Sequence, residues 1–545
     1  MRGIRFAQRV FGRKLAREIE DTIEAYASLA RRQRRELAEG LAKLGADDSS
    51  NIFLGTTAWE QAIELPLDKL AAHGLMLGAS GAGKSYSALS IILQILNSAS
   101  FPNSISFGIL DAKGELFQLI TNYLYAYLYR LAPAQRAAIA KKIIIIDFSN
   151  TEVIAPYNIL AHREYLSDEL MIADRIDTIS EQFSGLSDMS VRMKMIAKYF
   201  FLLMAEFGLP LPLFERLCSN PALLTALVEK SKNKQVRSYF SNRFENENQS
   251  TLLALWQRLD SLQVSEGVRL SLSASSAPDF ARLQDEGYII LVNTAGRNIT
   301  RGSSELLQSF VLSDIKQSIF RRSNHDRKFL WFFDEAQNLF TTSANREHMV
   351  DLLTMARSFG SFFVMLTQSL SSAIRDSDIL NSVMTNVRWI VMLRSTLRDA
   401  ELISPAIPLT GTLLKPNRHP LEPAKRMSES EELKAKLKEI TRLPDRQAYC
   451  WLKAYLHTAV KMTTPHLPSP LEIVGCTAEE FEAFVCSQRI GQGMTQEAVR
   501  KEIEQNQERL REILHPQRVC TPIAGQKKGR PTLTTTLEEV YAKKK

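Results

Sequence analysis

Cysteine is scarce in this 545-residue chain: Cys218, Cys450, Cys476, Cys486 and Cys520 are the only five, and none forms a C-x-x-C pair. That excludes a disulfide-stapled scaffold and the common cysteine zinc sites, and it fits a reducing compartment. Long apolar runs are missing too. The nearest approach, Ile196–Leu213, is broken by Lys198, Glu206, Pro210 and Pro212, so no membrane span is expected. The opening Met1-Arg2-Gly3-Ile4-Arg5-Phe6 lacks the apolar core and small-residue cleavage site of a secretory signal. The expected location is cytoplasmic, or peripheral at the inner membrane. A uniform excess of positive charge is also lacking, although the net charge is +8. Residues 1–35 carry ten Lys/Arg against four Asp/Glu and residues 525–545 six against two, which leaves the rest of the chain slightly acidic. Any sequence-independent pull on phosphate backbones or anionic lipid therefore comes from the ends or from local stripes.

What is present is the balance of a folded globular protein, 45% hydrophobic and 23% charged. From Ile4 to about Leu44, apolar residues recur at helical spacing with arginines on the other face. Residues 1–48 thus read as a basic amphipathic helical segment. It would dock on its own body or on a neighbouring subunit; contact with a membrane surface or with nucleic acid is the alternative. Between Gly74 and Arg394 short apolar runs alternate with helical ones. The candidate strands are Gly74–Leu77, Ile105–Asp111, Lys142–Phe148, Tyr288–Asn293, Lys328–Asp334, Ser361–Thr367 and Val387–Arg394. Runs that are apolar on both faces suit buried parallel strands, so the fold class is α/β with a doubly wound sheet. Residues 167–281 offer helical periodicity and no convincing strand, and read as an all-helical domain inserted between two parts of the sheet, 49–166 and 282–464. Ala448–Lys453 and Thr458–Thr463 look like two more short strands. Thr464–Pro470 looks like a linker into a small helical region, 471–545, that ends in a basic, disordered tail.

One loop carries specific chemistry. Gly78-Ala79-Ser80-Gly81-Ala82-Gly83-Lys84-Ser85 fits G-x-x-x-x-G-K-[ST]. In that pattern backbone amides cradle phosphates, the lysine neutralises β/γ charge and the hydroxyl ligates Mg²⁺. A strand-like run precedes the loop and a helix-forming run follows it, as the motif requires. The expected cofactors are ATP and Mg²⁺. The second half of such a site is an acid at a strand end, supplied by Phe329-Leu330-Trp331-Phe332-Phe333-Asp334-Glu335. Asp334 would hold the metal and Glu335 would polarise the attacking water. Gln368, which follows Ser361–Thr367, would sense the γ-phosphate. Arg357, just before that strand, would act as a finger in a neighbour's site, with Arg394 the competing candidate.

These residues run in the order seen in a known family. The P-loop is followed by Leu110-Asp111-Ala112-Lys113-Gly114-Glu115-Leu116, by Ile146-Asp147-Phe148 with Pro156-Tyr157-Asn158-Ile159-Leu160, by Asp334-Glu335-Ala336-Gln337, and by Thr367-Gln368-Ser369-Leu370. This resembles the type IV coupling proteins, conjugative DNA-transfer ATPases of the FtsK–HerA superfamily, over roughly Leu54 to Thr463. Those proteins usually have proline where this chain has Ala112, and commonly begin with two transmembrane helices. The resemblance implies a RecA-like ATPase, homo-hexameric, that pumps DNA or DNA with attached protein through a central pore. It also implies secretion-channel, relaxase or adaptor partners. The alternatives are a HerA-like motor for DNA processing or antiviral defence with a separate nuclease, and an ATP-regulated platform that recruits protein substrates to a secretion channel. Lys527-Lys528-Gly529-Arg530-Pro531 also resembles a minor-groove-binding hook, weighed against a solvated tail.

Overall fold

The computed structural model describes residues 51–161, 168–183, 191–244, 249–411, 426–488 and 493–514, together with 17, 20, 21, 23–25, 27–39, 413, 415 and 491. The basic hook at 527–531 lies outside the described residues. In chain order the strands are β1 (Asn51–Thr57), β2 (Ala62–Pro66), β3 (Gly74–Leu77), β4 (Ile105–Asp111), β5 (Ile143–Asp147), β6 (Val153–Ile154), β7 (Ile289–Asn293), β8 (Lys328–Phe333), β9 (Ser361–Thr367), β10 (Trp389–Met392), β11 (Gln447–Leu452), β12 (Val460–Thr463) and β13 (Met494–Thr495). All but β6 and β13 form one sheet in the order β2-β1-β12-β11-β10-β3-β9-β8-β4-β7-β5.

Strands β10, β3, β9, β8, β4, β7 and β5 are mutually parallel. They are the seven runs singled out by their apolar faces, some trimmed by a residue or two at an end. Burial on both sides explains the pattern. In β3, Leu75 and Leu77 enter one core and Met76 the other, so a polar residue at either phase would be stranded without a partner. Beyond β10 the sheet turns antiparallel through β11, β12, β1 and β2. Strands β1 and β2 were not among the sequence candidates. The P-loop strand β3 and the acid-bearing strand β8 are separated by one strand, β9, which makes the sheet RecA-like.

Between β6 and β7 the described regular elements are all helices, from Asp168–Phe183 to Phe280–Asp285. A buried ionic knot ties this insertion to the sheet. Arg175 pairs with Asp314 on the Arg301–Ile319 helix, which also accepts from Tyr157 Oη at 2.6 Å. The remaining Arg175 N–H groups reach the carbonyls of Ile159 and Phe310, both at 3.3 Å.

The segment read as a linker is seated instead. Thr464 is buried and donates to Arg446 O, and Pro468 O accepts from Tyr123 Oη at 2.9 Å. Helix Ala478–Ser487 then sets Phe484 edge-on to Tyr129 and beneath the Arg136 guanidinium. Helix Gln496–Leu514 reaches the insertion, burying Val499 and Leu510 and placing Arg509 on Phe207 O. The described C-terminal residues thus strap the insertion to the body. At the other end, residues 27–39 are helical and dock on the antiparallel edge: Leu37 is buried, Thr458 donates to Glu36, and Arg34 lies over Trp59. Among the described residues no single helix is long and apolar enough to cross a membrane.

Candidate active site

The chain leaves β3 at Leu77, passes through Gly78–Gly83 and enters the Lys84–Asn97 helix. Gly83 caps that helix at φ +107°, a conformation open in practice to glycine alone. The loop is anchored to its neighbours: Gly78 N donates to Thr367 O at 3.2 Å and Ala79 N to Arg394 O at 2.6 Å. The Lys84 ammonium is buried and rests on two loop carbonyls, Gly78 O at 2.7 Å and Ala79 O at 3.3 Å. Burial pulls its pKa below the ordinary lysine value, against the opposing pull of Glu335 and Asp334. A buried cation held by neutral carbonyls at a helix N-terminus is a receptor for phosphate charge. The loop therefore fits a triphosphate.

A cleft of about 260 Å³ opens beside the loop and is lined by Ser80, Gly81, Gly83, Lys84, Ser85, Tyr86, Lys113, Glu115, Leu119, Asp334, Glu335 and Gln368. Ser85 and Asp334 are thus on one cleft and fit a shared Mg²⁺. Burial pushes the Asp334 carboxyl up to about 7, and the nearby Asp111 charge adds to it, because both disfavour a further anion there. A divalent cation would reverse that balance.

Glu335 follows at φ +49°, strained for a residue with a side chain. Such a conformation costs roughly 1–3 kcal/mol and persists only where the surroundings enforce it. Here they do. Gln368 Nε2 donates to Glu335 Oε1 at 2.6 Å, Gln337 Nε2 donates to Oε2, and Thr367 Oγ1 donates to Gln337 Oε1 at 2.6 Å. The carboxylate is gripped by two amides and keeps lone pairs for a water. The sequence motif gives Gln337 a position but no role. Its part depends on meeting Thr367, thirty positions away, which no local pattern reveals.

Asp111, the first residue of the D-x-K-G-E-L signature, is structural. It is fully buried, and its carboxylate accepts from Lys113 N at 2.7 Å, Gly114 N at 2.9 Å and Phe117 N at 2.8 Å. It therefore fastens the turn into the Glu115–Arg130 helix. Lys113 and Glu115, held by that turn, face the cleft.

The structure does not bring the two arginine candidates into the cleft. Arg357 is exposed on the 3-10 turn Ala356–Phe359 just before β9, and Gln368 follows its end. Seven extended residues separate them by about 20 Å. Arg394 stays beside the P-loop and pairs with Asp445 at 2.9 Å. A further neighbour missed in the sequence is Arg446, at φ +66°, whose N–H donates to Ala82 O at 3.3 Å.

Sheet order and cleft together define a RecA-like P-loop nucleoside triphosphatase, with residues suited to ATP and Mg²⁺. No protein-family model matches the chain, and no curated protein matches it by sequence. Solved structures similar to it include the plasmid coupling protein TrwB in complex with ADP and Mg²⁺, at 15% identity over 78% of this chain and 92% of that one, TM-score 0.47. VirB4 of Thermoanaerobacter pseudethanolicus is similar at 15% identity over 78% of this chain and 99% of that one, TM-score 0.46. At these values the likeness carries no chemistry over to this chain, whose cleft is read from its own residues.

Proposed function

We propose that the chain is an ATP-driven DNA translocase of the coupling-protein kind, a homo-hexamer with nucleotide at its subunit interfaces, serving conjugative transfer or type IV secretion. The observation that carries this reading is the bond between Gln368 and Glu335. It joins the hydrolytic carboxylate to β9, a strand whose opposite end presents Arg357. Among the described residues that line the cleft, Lys84 and Lys113 are the cations and arginine is absent. A neighbour's arginine would complete the charge needed in the transition state.

Mg²⁺ bound to the triphosphate would withdraw charge from the β- and γ-oxygens. Ser85 and Asp334 would hold the metal, the P-loop amides and Lys84 would hold the phosphates, and Glu335 would take a proton from the attacking water. Gln368 would trade its bond with Glu335 for the γ-phosphate, and loss of that phosphate would return it to Glu335 and shift the loop that leaves β9.

ATP turnover measured with and without double- and single-stranded DNA tests the reading. Stimulation by DNA, in a particle of hexamer mass, is the expected result. Turnover indifferent to either DNA overturns the translocase. It would favour the platform reading, which has its own observation: an apolar cavity of about 600 Å³ in the insertion, lined by residues including Phe200, Leu224, Phe244, Leu252 and Trp256.

A further inference from the structure

We infer that Lys113 is a second γ-phosphate ligand in the same subunit, a cation on the side of the cleft opposite the P-loop that switches from Glu115 to the nucleotide. The inference rests on the reading of this cleft as an ATP site.

Strand order supplies the first argument. Lys84 approaches from the helix after β3, whereas Lys113 follows β4, on the far side of β9 and β8. Both lysines nevertheless line one cleft together with Asp334 and Glu335. A phosphate seated between them would meet positive charge from two directions, as a charge spread over three equatorial oxygens requires.

The second argument is the contrast between backbone and side chain at Lys113. Its N–H is fixed by the buried Asp111 carboxylate, and Gly114 supplies the φ of +84° that turns the chain into the next helix. Its side chain is only lightly held. The Lys113 ammonium pairs with Glu115 at 2.8 Å, with side-chain exposures of 40% and 64%. An exposed ion pair contributes at most about 1 kcal/mol, so a phosphate competes for the ammonium at little cost. A rigid backbone with an exchangeable partner suits a residue that engages ligand. A residue serving only packing would show the reverse.

The third argument is its reach. Lys113 and Glu335 also line a second, polar cleft of about 390 Å³ with Arg301, Gln308, Gln337 and Asn338. Lys113 thus stands with the hydrolytic carboxylate at the wall between the two spaces, where the terminal phosphate has to lie if Glu335 is to aim a water at it.

The test compares affinities of the full chain for ADP and for ATPγS, each with Mg²⁺, by fluorescence anisotropy. A charged hydrogen bond to the γ-phosphate predicts that Lys113→Met weakens ATPγS by about 10- to 100-fold and leaves ADP within threefold. Lys113→Arg should recover most of the loss. The melting temperature should not move, because the Asp111 contacts are to backbone. Equal weakening of both nucleotides, or an unchanged preference for ATPγS, overturns the role of Lys113. Failure of the wild-type chain to bind either nucleotide overturns the reading of the cleft itself.

Discussion

Asp334→Asn should stabilise the nucleotide-free protein while destroying its chemistry. Asp334 is 6% exposed, close to the charges of Asp111 and Glu335, with Lys84 the only cation acting on it among the strongest influences. Its pKa moves from 3.8 to about 7 on folding. The sign follows from where the proton sits. The folded state holds it more tightly than the unfolded state, so this group costs no stability below pH 4. The cost grows as pH rises towards 7 and is constant above. Three units at about 1.4 kcal/mol each give a penalty on the order of 4 kcal/mol at pH 8. Asparagine avoids it and still accepts from Glu335 N, the bond Asp334 makes at 3.0 Å. Unfolding followed by urea titration in EDTA at pH 8 should therefore show the variant more stable by several kcal/mol, and the advantage should shrink at pH 5. Mg²⁺ with ATP should narrow or invert the difference by binding the wild type better. A variant no more stable than wild type at pH 8 without metal refutes the argument that Asp334 is a destabilised metal ligand.

Gln337→Leu removes one of the two amides that grip Glu335; turnover at saturating ATP should fall about 10-fold or more with nucleotide affinity unchanged, since a hydrogen bond to a charged carboxylate is worth about 1.5 kcal/mol or more. Arg175→Leu leaves the buried Asp314 carboxylate without its cation and should destabilise the chain by about 3–5 kcal/mol in urea, independent of nucleotide. Arg357→Ala should leave ADP binding unchanged and lower turnover. If Arg357 acts in a neighbour's site, mixing Arg357→Ala with Glu335→Gln subunits should restore part of the activity, and mixtures no better than either variant alone would refute that role.

The legible parts of this fold are those whose physics is local. Strands buried on both faces had to be continuously apolar, so β3, β4, β5 and β7 to β10 could be read directly. The P-loop could be read because its backbone path demands glycine, and Asp334-Glu335 because two carboxylates ending an apolar strand need a reason. Strands β1 and β2 were hidden because β1 is half-polar, carries a register shift between Phe53 and Gly55, and finds its other partner, β12, some four hundred residues away. Gly55 marks that approach: a side chain there would meet Thr463 O at 2.6 Å. Gln337, Arg446 and the seating of Pro468 on Tyr123 likewise depend on partners that only the folded chain brings near. The position of Arg357 is readable, but its distance from Gln368 depends on the strand between them: Arg357 lies in the turn before β9 and Gln368 follows its end.

The most direct test of the central claim, that this cleft hydrolyses ATP through Glu335, is single-turnover phosphate release with Mg²⁺ and DNA present, comparing wild type with Glu335→Gln. General-base catalysis predicts a rate lower by about 10²–10⁴-fold in the variant, with ATP affinity within threefold. Release by the variant within a few-fold of wild type, or no release by wild type, would contradict it.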